Sequence, residues 1–154
     1  MKFVFVNSPN KKKKTFPKQT IGRREIVDFP ELGLFGLEAK IDTGANTTAL
    51  HCSNVRVEKG ILFFRVLDEN HPEFNRREFR FEKFEEKLIK SSFGQQEMRY
   101  VVRTKIKIGN RSIRSIISLS DRANMKYPVL IGRRFLKSRF NVDVSLLNAL
   151  TGKR

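Results

Sequence analysis

The chain has 154 residues, 39% of them apolar, and a formal net charge of +16 at pH 7. This length allows one sizeable hydrophobic core and leaves little for a second, so a single domain is expected. The sole cysteine, Cys52, excludes an internal disulfide, and the apolar run at residues 3–6 is too short for a signal peptide. We therefore expect a cytoplasmic protein with no membrane-spanning segment.

The positive charge is divided between an arm and the body of the protein. Residues 1–20 contain six lysines and no acidic residue, which gives this arm +6 and leaves +10 for the rest of the chain. A lysine run in an arm is commonly a solvated segment. A basic body is destabilised by self-repulsion unless an acidic partner compensates the charge, and polyglutamate and nucleic acid are the two candidates. We divide the chain into a basic N-terminal strand and arm (1–20), a folded domain (21–150) and a basic tail (151–154).

Strand and turn signals dominate the sequence. Residues 54–67 predict a hairpin that turns at Lys59 and Gly60, and a second turn is expected at Gly109 and Asn110. Only residues 133–138 have helical character. The other predicted strand regions cover residues 2–6, 21–29, 36–41, 79–84, 100–108 and 113–119. The pattern predicts an all-β domain with one short helix.

The segment IDTGANTTALH, at residues 41–51, carries the most information about function. An Asp-Thr-Gly sequence after an apolar strand is how aspartic proteases present a catalytic carboxylate. Such catalysis needs two carboxylates, because one is ionised to activate water while the other stays protonated. The chain holds one copy, at Asp42, which predicts a homodimer. An alternative interpretation is a turn aspartate that caps nearby amides.

A second motif lies at residues 128–136, PVLIGRRFL, where apolar residues precede Gly132 and Arg133. With IDTGANTTALH and the segments at 21–33, 90–99 and 119–143, it resembles the retropepsin-like aspartic proteases. More narrowly, the chain resembles a RimB-like bacterial family that carries the label ATP-dependent zinc protease and occurs alone or linked to RimK-type glutamate ligases. The resemblance implies a single-domain, retropepsin-like closed β-barrel with one short helix. The chain departs from that family at Asn46, where a basic residue is usual, and at Arg23 or Arg24, where tryptophan is frequent.

The label of that family is not supported by the residues present. A zinc protease of the usual kind needs a His-Glu-x-x-His ligand set, and ATP use needs a glycine-rich phosphate loop; the sequence has neither. His51, Cys52 and His71 are the only soft metal ligands, and the adjacent His51 and Cys52 would point to opposite faces of a strand. We expect no metal and no cofactor.

The resemblance implies roles for particular residues. Asp42 would meet its symmetry mate, and the pair would share one proton and titrate in two macroscopic steps. The loop of Thr43, Gly44 and Ala45 would support that pair. Residues 91–94 are the candidate flap, with an ordinary surface hairpin as the alternative. Arg133 is also a candidate for a structural role at the dimer interface. The candidate substrate-binding residues are Arg122, Arg134, Arg133, Lys90, Ser92, Arg99 and Lys126.

Two hypotheses of different classes follow. The first is a homodimeric aspartic endopeptidase whose basic cleft selects acidic, glutamate-rich peptides, such as tails added by RimK-type ligases. The second is a catalytically inactive retropepsin-like module that binds RNA or the ribosome through its basic surface, with strong salt dependence and no need for Asp42. Neither hypothesis has a membrane partner.

Overall fold

The computed structural model describes residues 17–90 and 94–150, and nearly all of its regular structure is β-strand. A 3₁₀ turn covers Pro30–Leu32, and the single α-helix, α1, covers Arg133–Leu136. The strands are β1 (Gln19–Ile21), β2 (Arg24–Phe29), β3 (Leu34–Ile41), β4 (Thr48–Glu58), β5 (Ile61–Val66), β6 (Glu78–Phe81), β7 (Glu85–Lys90), β8 (Gln96–Ile108), β9 (Arg111–Ser120), β10 (Val129–Ile131) and β11 (Phe140–Val142).

Six of these strands close into a barrel in the order β10-β3-β2-β8-β9-β4, and β4 returns to pair with β10. Strands β5 and β6 extend the sheet beyond β4, β7 pairs with the first part of β8, and β1 and β11 form a separate parallel pair. The predicted all-β, single-domain, retropepsin-like closed barrel with one short helix is therefore confirmed. In the described part of the chain, no helix is long and apolar enough to cross a membrane.

The barrel interior follows from alternation along the strands. In the second half of β8, Val102, Thr104, Ile106 and Ile108 are buried while the intervening residues 103 and 105 are exposed. The largest fully buried side chains include Phe29, Phe64 and Phe135. Phe135 stacks on Phe140 with ring centroids 5.8 Å apart, which packs α1 against the strand that follows it.

The predicted hairpin at 54–67 is present. Lys59 and Gly60 join β4 to β5 and both have positive φ, 49° and 75°, as a two-residue turn between twisted strands requires. The second predicted turn, at Gly109 and Asn110, joins β8 to β9. The strands extend beyond the predicted ones because pairing continues them: β4 begins at Thr48, where it runs parallel to β9.

Three sequence-based boundaries were wrong. The predicted region 79–84 is not continuous, because β6 ends at Phe81 and β7 begins at Glu85. Residues 21–29 are not one strand, because β1 ends at Ile21 and the chain then passes Gly22 against the Leu146 carbonyl; a Cβ at Gly22 would lie 2.3 Å from that oxygen. The helix predicted over 133–138 ends at Leu136, because Lys137 has an extended ψ of 129° and Ser138 has a φ of 65°. The strand predicted at residues 2–6 lies outside the described residues.

Candidate active site

Asp42 is the first residue after β3, which ends at Ile41. Its backbone amide donates a hydrogen bond to the Ile131 carbonyl (2.9 Å), which ties the start of the loop to β10. The Gly44 amide donates to Asp42 Oδ1 (2.9 Å), and the Ala45 amide donates to the Asp42 carbonyl (3.2 Å). Asp42 is half-buried while Thr43 and Gly44 are exposed. The turn therefore presents the carboxylate at the protein surface in a fixed orientation.

The second motif closes on the first through the main chain. The Arg133 amide donates to the Ala45 carbonyl (2.7 Å) and the Arg134 amide donates to the Asn46 carbonyl (3.1 Å). The Gly132 amide donates to Oγ1 of the buried Thr48 (3.2 Å). A Cβ at Gly132 would lie 2.7 Å from the carbonyl carbon of Thr47, so only glycine allows this approach. Two segments that are about 90 residues apart in sequence thus form one structural unit.

Arg133 contacts the Asp42 loop of its own chain. Its guanidinium Nη1 donates to the Thr43 carbonyl at 3.0 Å. This contact fixes the exposed part of the loop between Asp42 and Ala45. It also occupies part of the donor set that a substrate carboxylate would use.

Arg122 and Arg99 form the basic side of the site. Arg122 follows β9 and is half-buried; Arg99 lies on β8 beside Glu97, with which it makes a 3.1 Å ion pair. Burial lowers the pKa of the Arg122 guanidinium, and the charge of Arg99 lowers it further, while the charge of Asp42 acts in the opposite direction. Arg122 therefore lies within electrostatic range of both Arg99 and Asp42. The Arg122 Nε atom donates to the Tyr127 carbonyl at 3.2 Å.

The other candidate basic residues are more exposed. Lys90 is at the end of β7 opposite Gln96, Lys126 lies over the ring of Tyr127 at 5.5 Å, and Arg134 is exposed on α1. Ser92 lies outside the described residues. Residues 91–93 of the candidate flap also lie outside the described residues. The strands before and after it, β7 and β8, pair from Glu85 with Val101 to Lys90 with Gln96.

Sequence reasoning considered His51 only as a soft metal ligand, whereas the structure gives it protein partners. His51 is buried on β4, its Nε2 lies 2.6 Å from Oδ2 of Asp68, and its Nδ1 accepts a hydrogen bond from the Arg122 amide at 2.8 Å. The hydrogen bond to His51 is the main cause that lowers the pKa of Asp68. Extending the β4–β5 register by one residue beyond the pair Cys52 and Val66 places Leu67 opposite His51. Asp68 is the next residue, so this register brings it near His51.

Two surface hollows lie on either side of this pair. Glu38, His71 and Met125 line the first, and Met98, Arg99 and Tyr100 line the second. His51, Asp68 and Ala123 border both. Among the described residues, no group of three or more His, Cys, Asp or Glu side chains is arranged to hold a metal ion.

The chain is similar to several known proteins. Residues 20–151 match the RimB-like family, described as retropepsin-like aspartic endopeptidase RimB. Proteins named probable alpha-L-glutamate ligase match it from Desulfotalea psychrophila (33% identity over 86% of this chain) and Shewanella pealeana (35% over 83%). The chain spans only 30% and 29% of their lengths. The crystal structure of Lpg0085, a Legionella pneumophila protein of unknown function, superposes with a TM-score of 0.62 at 26% identity and covers 87% of this chain and 99% of that one.

Proposed function

The chain belongs to the RimB-like family of retropepsin-like aspartic endopeptidases, and we propose that it hydrolyses acidic, glutamate-rich peptides as a homodimer. The observation that carries the proposal is the unit formed by the Asp42 loop and residues 132–134. Main-chain hydrogen bonds of 2.7 and 3.1 Å orient the loop, so the carboxylate of Asp42 is positioned before any substrate arrives.

The dimer follows from the chemistry of a single Asp-Thr-Gly sequence. One carboxylate cannot both remove a proton from water and donate one to the substrate carbonyl oxygen in the same step. Asp42 is half-buried at the end of β3, so the described chain leaves it accessible to a second copy. Two copies related by a two-fold axis would bring two Asp42 carboxylates together.

In such a pair one proton is shared, because two adjacent carboxylates do not both ionise readily. The ionised carboxylate accepts a proton from water as the water oxygen attacks the peptide carbonyl carbon. The protonated carboxylate donates to the carbonyl oxygen, and a proton passes to the leaving nitrogen as the carbon–nitrogen bond breaks. The products are a free carboxylate and an amine, and no covalent intermediate forms.

Selectivity for acidic peptides is supported by the charge around Asp42. The charge of Arg122 interacts with those of Asp42 and Arg99, and the burial of Arg122 makes an ion pair with a substrate carboxylate stronger than it would be in open water. The relatives named probable alpha-L-glutamate ligase make peptide-linked glutamate a suitable substrate class. The net charge of +16 favours the same class of partner.

The experiment compares an oligo-glutamate peptide with a neutral peptide of equal length by mass spectrometry. Wild-type protein is expected to shorten the acidic peptide selectively, and Asp42→Asn is expected to abolish cleavage. Asp143→Asn is a matched control, because asparagine can still accept the Ser145 hydrogen bonds that Asp143 accepts. Cleavage that survives Asp42→Asn would contradict the aspartic mechanism, and equal cleavage of both peptides would contradict the acidic selectivity.

A subunit-mixing experiment tests the dimer. Asp42→Asn protein is mixed with wild type at constant total protein, and the subunits are allowed to exchange. If each site uses Asp42 from both copies, the activity per total protein falls with the square of the wild-type fraction. A linear decrease would mean that one chain is sufficient. The matched control is Asp143→Asn protein added in the same proportions, which should leave the activity per active chain unchanged.

The second candidate function is binding of RNA or the ribosome. The observation that favours it is the outer face of the β8–β9 hairpin, where Arg103, Lys105 and Arg114 are exposed. Glu31 pairs with Arg114 at 3.0 Å and reduces the charge of that face. Binding of this kind would weaken steeply with added salt and would be unchanged in Asp42→Asn. Filter binding at two salt concentrations separates it from proteolysis.

A further inference from the structure

The segment that carries Arg122 has an unusual attachment to the barrel. Residues 121–128 connect β9 to β10, and two hydrogen bonds attach them to β4 through His51. The Arg122 amide donates to His51 Nδ1 (2.8 Å), and the His51 amide donates to the Pro128 carbonyl (2.8 Å). The bonds from Ala123 to Asp121 and from Met125 to Arg122 are internal to the segment. His51 therefore connects this segment to β4.

The contacts of His51 define its tautomer. A backbone amide can only donate a hydrogen bond, so the Nδ1 atom that accepts from the Arg122 amide must be unprotonated. The ring proton is then on Nε2, from which it is donated to the Asp68 carboxylate at 2.6 Å. The carboxylate of Asp121 lies 3.8 Å from Nδ1 but is 84% exposed, and its Oδ1 accepts from the Ala123 amide. Asp68 thus orients the imidazole so that its acceptor faces Arg122.

We propose that His51 is a positioning residue that holds Arg122 in the hollow that both residues line and thereby determines the affinity for acidic side chains. The inference rests on the proposed function, because it assigns the Arg122 guanidinium to the substrate carboxylate. The backbone of Arg122 is held by His51, its Nε atom donates to the Tyr127 carbonyl, and its charge is within range of Asp42 and Arg99. His51 itself touches no reacting group.

The two amide residues that imitate histidine allow a direct test. Asparagine can place its carbonyl oxygen near the position of Nδ1, so His51→Asn keeps an acceptor for the Arg122 amide and loses the contact with Asp68. Glutamine can place its NH₂ group near the position of Nε2, so His51→Gln keeps the donor to Asp68 and loses the acceptor for Arg122. The inference predicts that these two variants differ in peptide binding.

Binding of a fluorescent oligo-glutamate peptide is measured by anisotropy in the Asp42→Asn background, where no cleavage competes. Loss of one hydrogen bond of roughly 1–1.5 kcal/mol corresponds to about a 5- to 10-fold weaker affinity, which we expect for His51→Gln. His51→Asn is expected to stay within about 3-fold of its parent. His71→Gln is the matched control, because His71 lines the same hollow and contacts Glu73 instead of Arg122.

A double-mutant cycle separates positioning from a general loss of structure. If His51 acts through Arg122, adding His51→Gln to Arg122→Gln should weaken binding no further, whereas independent effects would add. The tautomer is measured in the unsubstituted protein by long-range ¹H–¹⁵N correlation spectra. A proton on Nδ1 would overturn the inference even if every substituted protein failed to fold.

The outcomes distinguish this inference from the proposed function. If wild type cleaves no peptide but the Asp42→Asn protein binds oligo-glutamate in a His51-dependent way, the proposed hydrolysis fails and the positioning role stands. If acidic peptides are cleaved but His51→Asn and His51→Gln bind equally well, the positioning role is overturned and the hydrolysis stands. If the Asp42→Asn protein shows no binding of oligo-glutamate, the positioning role is overturned as well.

Discussion

The two sides of the candidate active site are attached to the barrel in different ways. The Asp42 loop is held mainly by main-chain groups, with amides of Arg133 and Arg134 bonded to carbonyls of Ala45 and Asn46. The Arg122 segment is held by the buried residue His51, whose side chain accepts from the Arg122 amide and whose main chain donates to the Pro128 carbonyl. Main-chain bonds survive most substitutions, whereas a side-chain bond depends on one residue type. Catalytic geometry should therefore be robust in this fold, and substrate selectivity should be easy to change.

The largest effect is expected where the main-chain attachment can be broken. Gly132→Ala places a Cβ 2.7 Å from the Thr47 carbonyl carbon, so either the loop or β10 must move. We expect a loss of about 3 kcal/mol in the free energy of unfolding, together with loss of peptide cleavage. Urea denaturation and the mass-spectrometric assay measure the two effects.

The control for this substitution is Gly60→Ala in the β4–β5 turn. Gly60 has a φ of 75°, and a Cβ added there would meet no atom within 4 Å. Alanine at this position therefore costs only about 1–2 kcal/mol for a left-handed backbone conformation. If both variants lost the same stability and both kept activity, the close approach at Gly132 would not be what holds the loop.

The next effect is on selectivity. Arg122→Gln removes a half-buried guanidinium that lies within electrostatic range of Asp42, and loss of a charge-assisted contact of about 1.5–3 kcal/mol should raise KM for the acidic peptide about 10- to 100-fold. The KM for the neutral peptide should change little. Arg134→Gln should have a smaller effect because Arg134 is exposed, and Arg103→Gln on the outer face of β8 is the control. A uniform decrease on both peptides would show that Arg122 supports structure and not selectivity.

A smaller effect is expected at the buried threonine below the loop. Thr48→Val has the same shape but leaves the Gly132 amide without its 3.2 Å acceptor, which should cost about 1–3 kcal/mol in the free energy of unfolding. Thr48→Ser keeps the hydroxyl and should lose less. If urea denaturation shows that Thr48→Val loses no more stability than Thr48→Ser, the hydrogen bond to the Gly132 amide is not what stabilises the loop.

The smallest effect concerns pH, and two carboxylates should act in opposite directions. The pKa of Asp68 lies below its ordinary 3.8 because of His51, so its stabilising contribution is present above that pH and disappears as the pH falls through the lowered value. The pKa of Glu25 is raised above 4.5 by burial, although amides of Leu150, Gly22 and Ala149 oppose the shift. Its contribution therefore declines as the pH rises through the raised value.

Urea midpoints measured from about pH 3 to pH 7 in wild type and two variants test these signs. Asp68→Asn should flatten the loss of stability on the acidic side. Glu25→Gln should remove the decline toward neutral pH, since a neutral amide has no burial penalty for charge. An unchanged pH profile in both variants would mean that neither carboxylate contributes to the dependence.

Much of the fold was predictable because its signals are local. The alternation of apolar and polar residues identified the inner face of β8. Lys59 and Gly60 identified a hairpin turn, and both residues have the positive φ that such a turn requires. Boundaries were less accurate where a distant segment decides them. The break at Gly22 depends on Leu146, and the length of β4 depends on its pairing with β9.

The sequence by itself determined the candidate catalytic residue, Asp42, the two motifs around it and the basic character of the protein, since these depend on residue type and order. Only the tertiary structure decided that Arg133 is bonded to the Thr43 carbonyl, that Arg122 comes within electrostatic range of Asp42 and that His51 joins Asp68 to Arg122. The physical reason is distance along the chain. His51 and Arg122 are separated by 71 positions, and only closure of the barrel, which pairs β4 with both β9 and β10, brings them within one hydrogen bond.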